Sequence, residues 1–351
     1  MNPRALQIAG RRIGAGHPPY VIAELSGNHN GEIARAFRLI DAARQAGADA
    51  VKLQTYTADT ITIDHAGPGF VIEGGLWHGR RLHELYQEAH TPWDWHPALF
   101  AHASKIGITC FSSPFDASAV DLLERLGAPA YKIASFEIVD TPLIRYAAKS
   151  GKPLIISTGM AEASEIDEAV AAAREAGAGA IALLHCVSAY PTPTEEANLA
   201  RIPALAERYD CPIGLSDHSL GIEVAIGAVA LGAAIIEKHL TLARADGGPD
   251  AAFSLEPSEL AALVKGVRTA HAAVGRADYG HAASEKPNMA FRRSLYAVKD
   301  IAAGEVLTDQ NVRSIRPGYG LAPKHLPEIL GHRARRAIAR GTPMSFDLVE
   351  Q

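Results

Sequence analysis

The stretch Pro212–Leu242, PIGLSDHSLGIEVAIGAVALGAAIIEKHLTL, has the pattern strand, helix, strand. Two apolar runs, Pro212–Leu215 and Ala234–Glu237, have strand length. Between them Ile222, Ile226 and Val229 recur at helical spacing, and Gly232 stands where a helix would stop. Each run leads into a histidine, in Ser216-Asp217-His218 and in Glu237-Lys238-His239. One βα unit separates the two, so in a parallel sheet they stand at the same end of neighbouring strands. That is the carboxyl end, where α/β barrels build their sites. Two imidazoles there can share one metal ion. Either histidine alone would read as a rim residue bonded to a loop. The pair in register, beside Asp217, Glu237 and Lys238, points to a site.

The same rhythm extends outward. Further strand-like runs are Tyr20–Leu25, Ala50–Gln54, Ile108–Ser112, Tyr131–Ala134, Pro153–Ser157 and Ala180–His185, with helical patterns between them. Eight β units alternate with eight helices, and the strands are apolar without alternation, as in a parallel sheet covered by helices. The span to about Gly275 suits a (β/α)8 TIM barrel. A doubly wound sheet would need a glycine-rich nucleotide loop after the first strand, where this chain has Ser-Gly-Asn-His-Asn-Gly. Leu6–Ile13 reads as a hairpin able to plug the barrel bottom. Thr55–Thr91 reads as an irregular insertion, and so long a loop is usually functional. The expected domains are a catalytic barrel over 1–275, a polar linker over 276–290 and a small β-rich domain over 291–351.

The chain has 351 residues, a formal net charge of −5 and a pI near 6.3. That balance excludes a basic nucleic-acid binder. No apolar run reaches the ~20 residues that span a membrane. The N-terminus lacks the apolar core of a signal peptide. Cys110, Cys186 and Cys211 form no paired motif and read as reduced, partly buried thiols. The expected compartment is the cytoplasm.

The strand ends mix hydroxyls with lysines. Ser113, Lys132, Ser135, Ser157, Ser188 and Ser216 could encircle one phosphate, because several donors and a positive charge are what that group needs. Any one of these serines alone would read as a turn or cap residue; their recurrence is the signal. Glu24 is an acid/base candidate. Two reaction types fit these residues. In one, Lys52, Lys132 or Lys238 forms a Schiff base with a carbonyl substrate. In the other, a metal polarises a carbonyl and a phosphate-bearing enol attacks it. The histidine pair favours the second.

Seven collinear segments carry a resemblance. They are AELSGNHNG from Ala23 to Gly31, Val51–Tyr56, Phe111–Asp116, Tyr131–Glu137, Ser157–Met160, Leu215–His218 and Glu237–His239. Together they resemble the sialic acid synthase family over nearly the whole chain. Arg316-Pro-Gly318 resembles the signature of that family's antifreeze-like (SAF) domain. Within the family, LQTYT, the EAHTPWDWH insertion and RRSLY are nearest the pseudaminic acid branch, with the neuraminate and legionaminate branches as alternatives.

The resemblance implies condensation of phosphoenolpyruvate with an amino-sugar aldehyde, releasing phosphate. It implies a divalent cation, Mn²⁺ or Mg²⁺, on His218 and His239, and proton transfer by Glu24. Lys132 and the serines would hold phosphoenolpyruvate, with Lys52 completing its site. Gln54 and Glu137 would position sugar groups. Ser188 departs from the family, which commonly has an amide there. Tyr56, Trp77, Trp93 and Phe253 are apolar candidates to meet a trideoxy sugar. The family's small domain docks over the partner subunit's active site, so a domain-swapped homodimer is implied, with Arg316 reaching a sugar N-acetyl carbonyl in the neighbouring chain. A non-catalytic sugar-binding scaffold would need neither the acid/base group nor the metal ligands.

Overall fold

The computed structural model describes residues 5–350 and divides the chain into two compact units, Met1–Gly275 and Arg276–Gln351. The first four residues and Gln351, at the outer ends of the two expected domains, lie outside the described residues.

A hairpin opens the first unit, with β1 (Leu6–Ile8) antiparallel to β2 (Arg11–Ile13). The barrel strands follow: β3 (Tyr20–Glu24), β4 (Ala50–Thr55), β5 (Thr109–Pro114), β6 (Tyr131–Ile133) and β7 (Pro153–Ser157). They continue as β8 (Ala180–Cys186), β9 (Ile213–Asp217) and β10 (Ile235–His239). Each pairs in parallel with the next, and β10 closes on β3. The strands fall where the apolar runs predict them, because each is buried on both faces and stays apolar until its carboxyl end. Gly47, at φ 87°, ends the helix Ile33–Ala46 in a left-handed conformation that suits glycine.

Side chains alternate along each strand, so one set faces the helices and the other the barrel interior. Val21, Val51, Leu154, Leu183, Leu215 and Ile236 belong to the outer layer beneath the helices. Tyr20, Ile22, Ala50, Phe111, Ile155, Leu184 and Ile235 form the inner core, with Leu6, Ile8 and Ile13 of the hairpin packed into it. The hairpin is therefore the plug the sequence predicts. It leaves the carboxyl end as the open, polar end.

The insertion differs from its irregular expectation. It carries the helices Ala58–Ile61 and Leu82–Ala89, the first capped by Thr57, whose hydroxyl accepts the Thr60 N–H. Local capping and the burial of Leu85 supply the order that no long apolar period announces. Among the described residues no helix is long and apolar enough to cross a membrane, and all three cysteines are free and buried.

In the second unit β11 (Ser294–Ala297) and β12 (Val312–Ile315) are antiparallel. Leu295, Ile301, Leu307, Val312, Ile329, Ile338 and Met344 form its own core. The 276–290 stretch, expected as a linker, falls in this unit and contains most of the 3-10 segment Ala283–Phe291.

Candidate active site

The site begins two residues above the inner apolar core. Strand register brings Glu24 of β3 beside Lys52 of β4 and His239 of β10, and Glu237 beside Ser216 of β9. All are buried. Lys52 Nζ lies 2.7 Å from Glu24 Oε2 and 3.2 Å from Glu237 Oε1, and donates to Ser113 Oγ at 3.3 Å. Lys132 Nζ lies 3.6 Å from Glu237 Oε1, to which Ser216 Oγ donates at 3.1 Å. Gln54 Nε2 and the Ser26 N–H both donate to Glu24 Oε1.

This array splits its two carboxyls. Burial and the charge of Glu237 push Glu24 up, against the pull of Lys52. Burial works the same way on Glu237, but Lys132 and Lys52 together hold it below the usual carboxylate range. Environments that drive two carboxyls apart assign one to proton transfer and the other to a fixed charge. Burial raises Glu137 to about 7, because the attraction of Lys132 is too weak to offset it. Burial draws Lys132 down, whereas Glu237 and Glu24 outweigh burial at Lys52 and raise it.

The serines form the other wall. A Cβ added to Gly159 would meet Ser135 Oγ at 2.6 Å and Ser188 Oγ at 2.7 Å, so only glycine lets the loop after β7 pass between those hydroxyls. Ser157 Oγ, Ser188 Oγ, Glu137 Oε2 and Glu237 Oε2 are buried without a hydrogen-bond partner. Buried polar atoms are normally paired. Two orphaned hydroxyls and two ammonium groups fit an anionic ligand.

His218 and His239 face each other with ring centroids 5.4 Å apart. His218 Nδ1 donates to the Val187 carbonyl at 3.1 Å, which leaves its Nε2 for another partner. His239 Nδ1 is buried without a hydrogen bond, 3.7 Å from Asp250 Oδ2. Burial and the adjacent His218 hold the His239 imidazole well below its usual pKa, in the neutral form that binds cations. Among the described residues no group of three or more His, Cys, Asp or Glu side chains is arranged to hold a metal. The two imidazoles are nitrogen donors of the kind a divalent cation takes; His218 differs from His239 in that burial is outweighed by Cys186 and the Val187 carbonyl, which raise it.

Several expectations are redirected. Lys238, a Schiff-base candidate from sequence, faces away from the interior and is tied to Asp217. Ser112 and His185, which end their apolar runs in the sequence, turn outward as well, bonding Thr55 and the Ala197 carbonyl. Odd and even positions on a strand point opposite ways, so adjacency at a strand end does not put two residues in one site. Tyr56 packs on Tyr86 and Phe115. Trp77 and Phe253 instead gather around Tyr190, which lies 4.4 Å from the His218 ring. Trp93 opens the 3-10 turn Trp93–Trp95. Arg316 follows β12 in the second unit and is exposed. Sequence reasoning placed Glu237 beside the histidines without giving it a role, and missed Asp250 and Tyr190. Glu237 was legible, two residues before His239 on the same strand face. Asp250 lies in a loop, where no period exists to read.

Fold and site together define a barrel enzyme whose carboxyl end brings together two lysines, two carboxyls and two imidazoles. The chain belongs to the NeuB family, which matches residues 39–279, and residues 292–350 match the SAF domain. It is 44% identical over 322 residues to pseudaminic acid synthase of Campylobacter jejuni subsp. jejuni serotype O:23/36, covering 92% of this chain and 94% of that one. Pseudaminic acid synthase of Helicobacter pylori is 43% identical over 336 residues, covering 95% and 98%. The crystal structure of N-acetylneuraminic acid (sialic acid) synthetase from Leptospira borgpetersenii serovar Hardjo-bovis, in complex with citrate, matches with a TM-score of 0.74 at 35% identity. That match covers 82% of this chain and 96% of that one.

Proposed function

We propose that this enzyme is a pseudaminic acid synthase. It would condense phosphoenolpyruvate with 2,4-diacetamido-2,4,6-trideoxy-L-altrose, giving pseudaminic acid and phosphate. The observation that carries the reading is the buried array of Glu24, Lys52, Lys132 and Glu237 beside the orphaned serines and the histidine pair. The 44% identity to a pseudaminic acid synthase supports the choice of sugar over the neuraminate and legionaminate alternatives.

In this mechanism Lys52 and Lys132, with Ser113, Ser135, Ser157, Ser188 and Ser216, hold the phosphate and carboxylate of phosphoenolpyruvate. Glu237 keeps both lysines aimed inward. His218 and His239 would hold a divalent cation, Mn²⁺ or Mg²⁺, which when bound would supply electrophilic polarisation of the sugar aldehyde. Gln54 and Glu137 orient the sugar. The methylene carbon attacks the aldehyde carbon, and water adds at the enol carbon that becomes electron-poor. Glu24, raised by burial, gives its proton to the new hydroxyl and then takes one from the attacking water. The C–O bond to phosphate then breaks and leaves the 2-keto acid.

We assign the reaction to the cytoplasm and to a homodimer. Phe136, Val139, Met160 and Leu220 are large apolar side chains exposed on the loops after β6, β7 and β9, around the barrel mouth. A partner subunit's small domain covering that rim would bring an Arg316 with it, offering planar, directional donors to the sugar.

The test is phosphate release from phosphoenolpyruvate against a panel of amino sugars. Turnover is expected with the trideoxy sugar and is expected to vanish on chelation. Preference for N-acetylmannosamine would redirect the substrate, and full activity after chelation would revive a lysine adduct. Glu24→Gln and Arg316→Ala homodimers are each expected to be nearly inactive. Exchanging their subunits should restore activity; none after proven exchange would refute the shared site.

A further inference from the structure

We propose that the buried Lys238–Asp217 ion pair is a positioning device for the two imidazoles. The barrel strands carry six Asp, Glu or Lys side chains: Glu24, Lys52, Lys132, Asp217, Glu237 and Lys238. Glu24, Lys52, Lys132 and Glu237 meet inside the barrel. Asp217 and Lys238 share the strand face of Leu215 and Ile236, in the apolar layer beneath the helices. They lie on the two strands that lead into the histidines. They are also direct register partners, each one residue before its histidine.

The pair is closely bonded. Lys238 Nζ, fully buried, lies 2.7 Å from Asp217 Oδ2 and donates to the Ser219 carbonyl at 2.6 Å. The Ser219 N–H and hydroxyl donate to Asp217 Oδ1 at 2.9 and 2.7 Å. These bonds close the turn around His218, whose own carbonyl accepts the Thr192 N–H at 3.0 Å.

Net stability does not explain such a pair. Its desolvation offsets its attraction, and an apolar pair of similar volume often does as well. Fixing register is the better-attested use. A one-residue slip of β10 on β9 would turn Glu237 and His239 out of the barrel and bring Lys238 in. The ion pair opposes that slip and sets the approach of the two rings. The inference rests on the reading that His218 and His239 serve the reaction.

The test is the double variant Lys238→Met/Asp217→Asn, in which the asparagine keeps an acceptor for Ser219 and no buried charge is left unpaired. Its unfolding midpoint is expected to stay near the parent's. In protein labelled with ¹⁵N-histidine, the ring resonances of His218 and His239 are expected to move while those of His185 and of His102, on the helix His96–Ile106, hold. We expect kcat to fall roughly tenfold or more, as for groups that orient metal ligands, with KM for phosphoenolpyruvate little changed. If the double variant fails to fold, Lys238→Arg, which keeps the charge but shifts the donor, should displace the same two resonances. Unmoved His218 and His239 signals in a stably folded variant would overturn the proposal. The ring readout needs no turnover, so failure of the functional reading and failure of this inference are told apart.

Discussion

On β3, Ile22 stands two residues below Glu24; on β4, Ala50 stands below Lys52. The pattern repeats as Phe111 below Ser113, Ile155 below Ser157 and Ile235 below Glu237. The lower members pack together with the hairpin plug into an apolar core. The upper members are equally buried but polar, and some of their atoms have no partner. One strand face thus holds the fold together at one level and forgoes stability at the next. The difference is chemical, since both levels share the same backbone geometry and similarly low side-chain exposure.

Strand β7 allows that comparison to be broken with single substitutions. Ile155→Ala removes a fully buried lower side chain and should cost about 2–5 kcal/mol in denaturant unfolding. Activity per folded molecule should change little. A large loss of kcat at constant stability would mean that the two levels are not separable.

Ser157→Ala, two residues on, should behave in the opposite way. Its hydroxyl has no protein partner, so the unfolding midpoint should hold or rise. A lost hydrogen bond to a charged ligand is worth about 1.5–3 kcal/mol, so KM for phosphoenolpyruvate should rise roughly tenfold or more. An unchanged KM would remove Ser157 from the anion site.

The smallest effect is expected at Glu137, whose carboxyl is raised from 4.5 to about 7 by burial. A raised carboxyl binds its proton more tightly in the folded chain. Its contribution is therefore fully present below pH 4.5 and is lost as pH rises through about 7. Glu137→Gln, which stays neutral, should match the parent's thermal midpoint at pH 4 and exceed it at pH 8. Parallel curves across that range would show that the carboxyl is not desolvated.

Much of the barrel was legible because its strands are short apolar runs and its helices carry a clear period. His218 and His239 were legible together, since one βα unit between them fixes their common end. The linker expectation over 276–290 has only polarity to rest on; that stretch groups with the second unit. The insertion was misread as irregular, because its helices depend on a Thr57 cap and tertiary burial of Leu85.

The sequence by itself determined the alternation of strands and helices, the plug and the set of residue types at the carboxyl ends. Local spacing encodes these directly. Only the tertiary structure decided that Lys238 faces out while Glu237 faces in, and that Gly159 admits Ser135 and Ser188 to one wall. It also decided that Glu24 and Glu237, more than two hundred positions apart, share Lys52 and have their affinities for a proton shifted in opposite directions. Those outcomes depend on distances across a closed barrel, and closure brings together strands whose separation along the chain carries no trace of that contact.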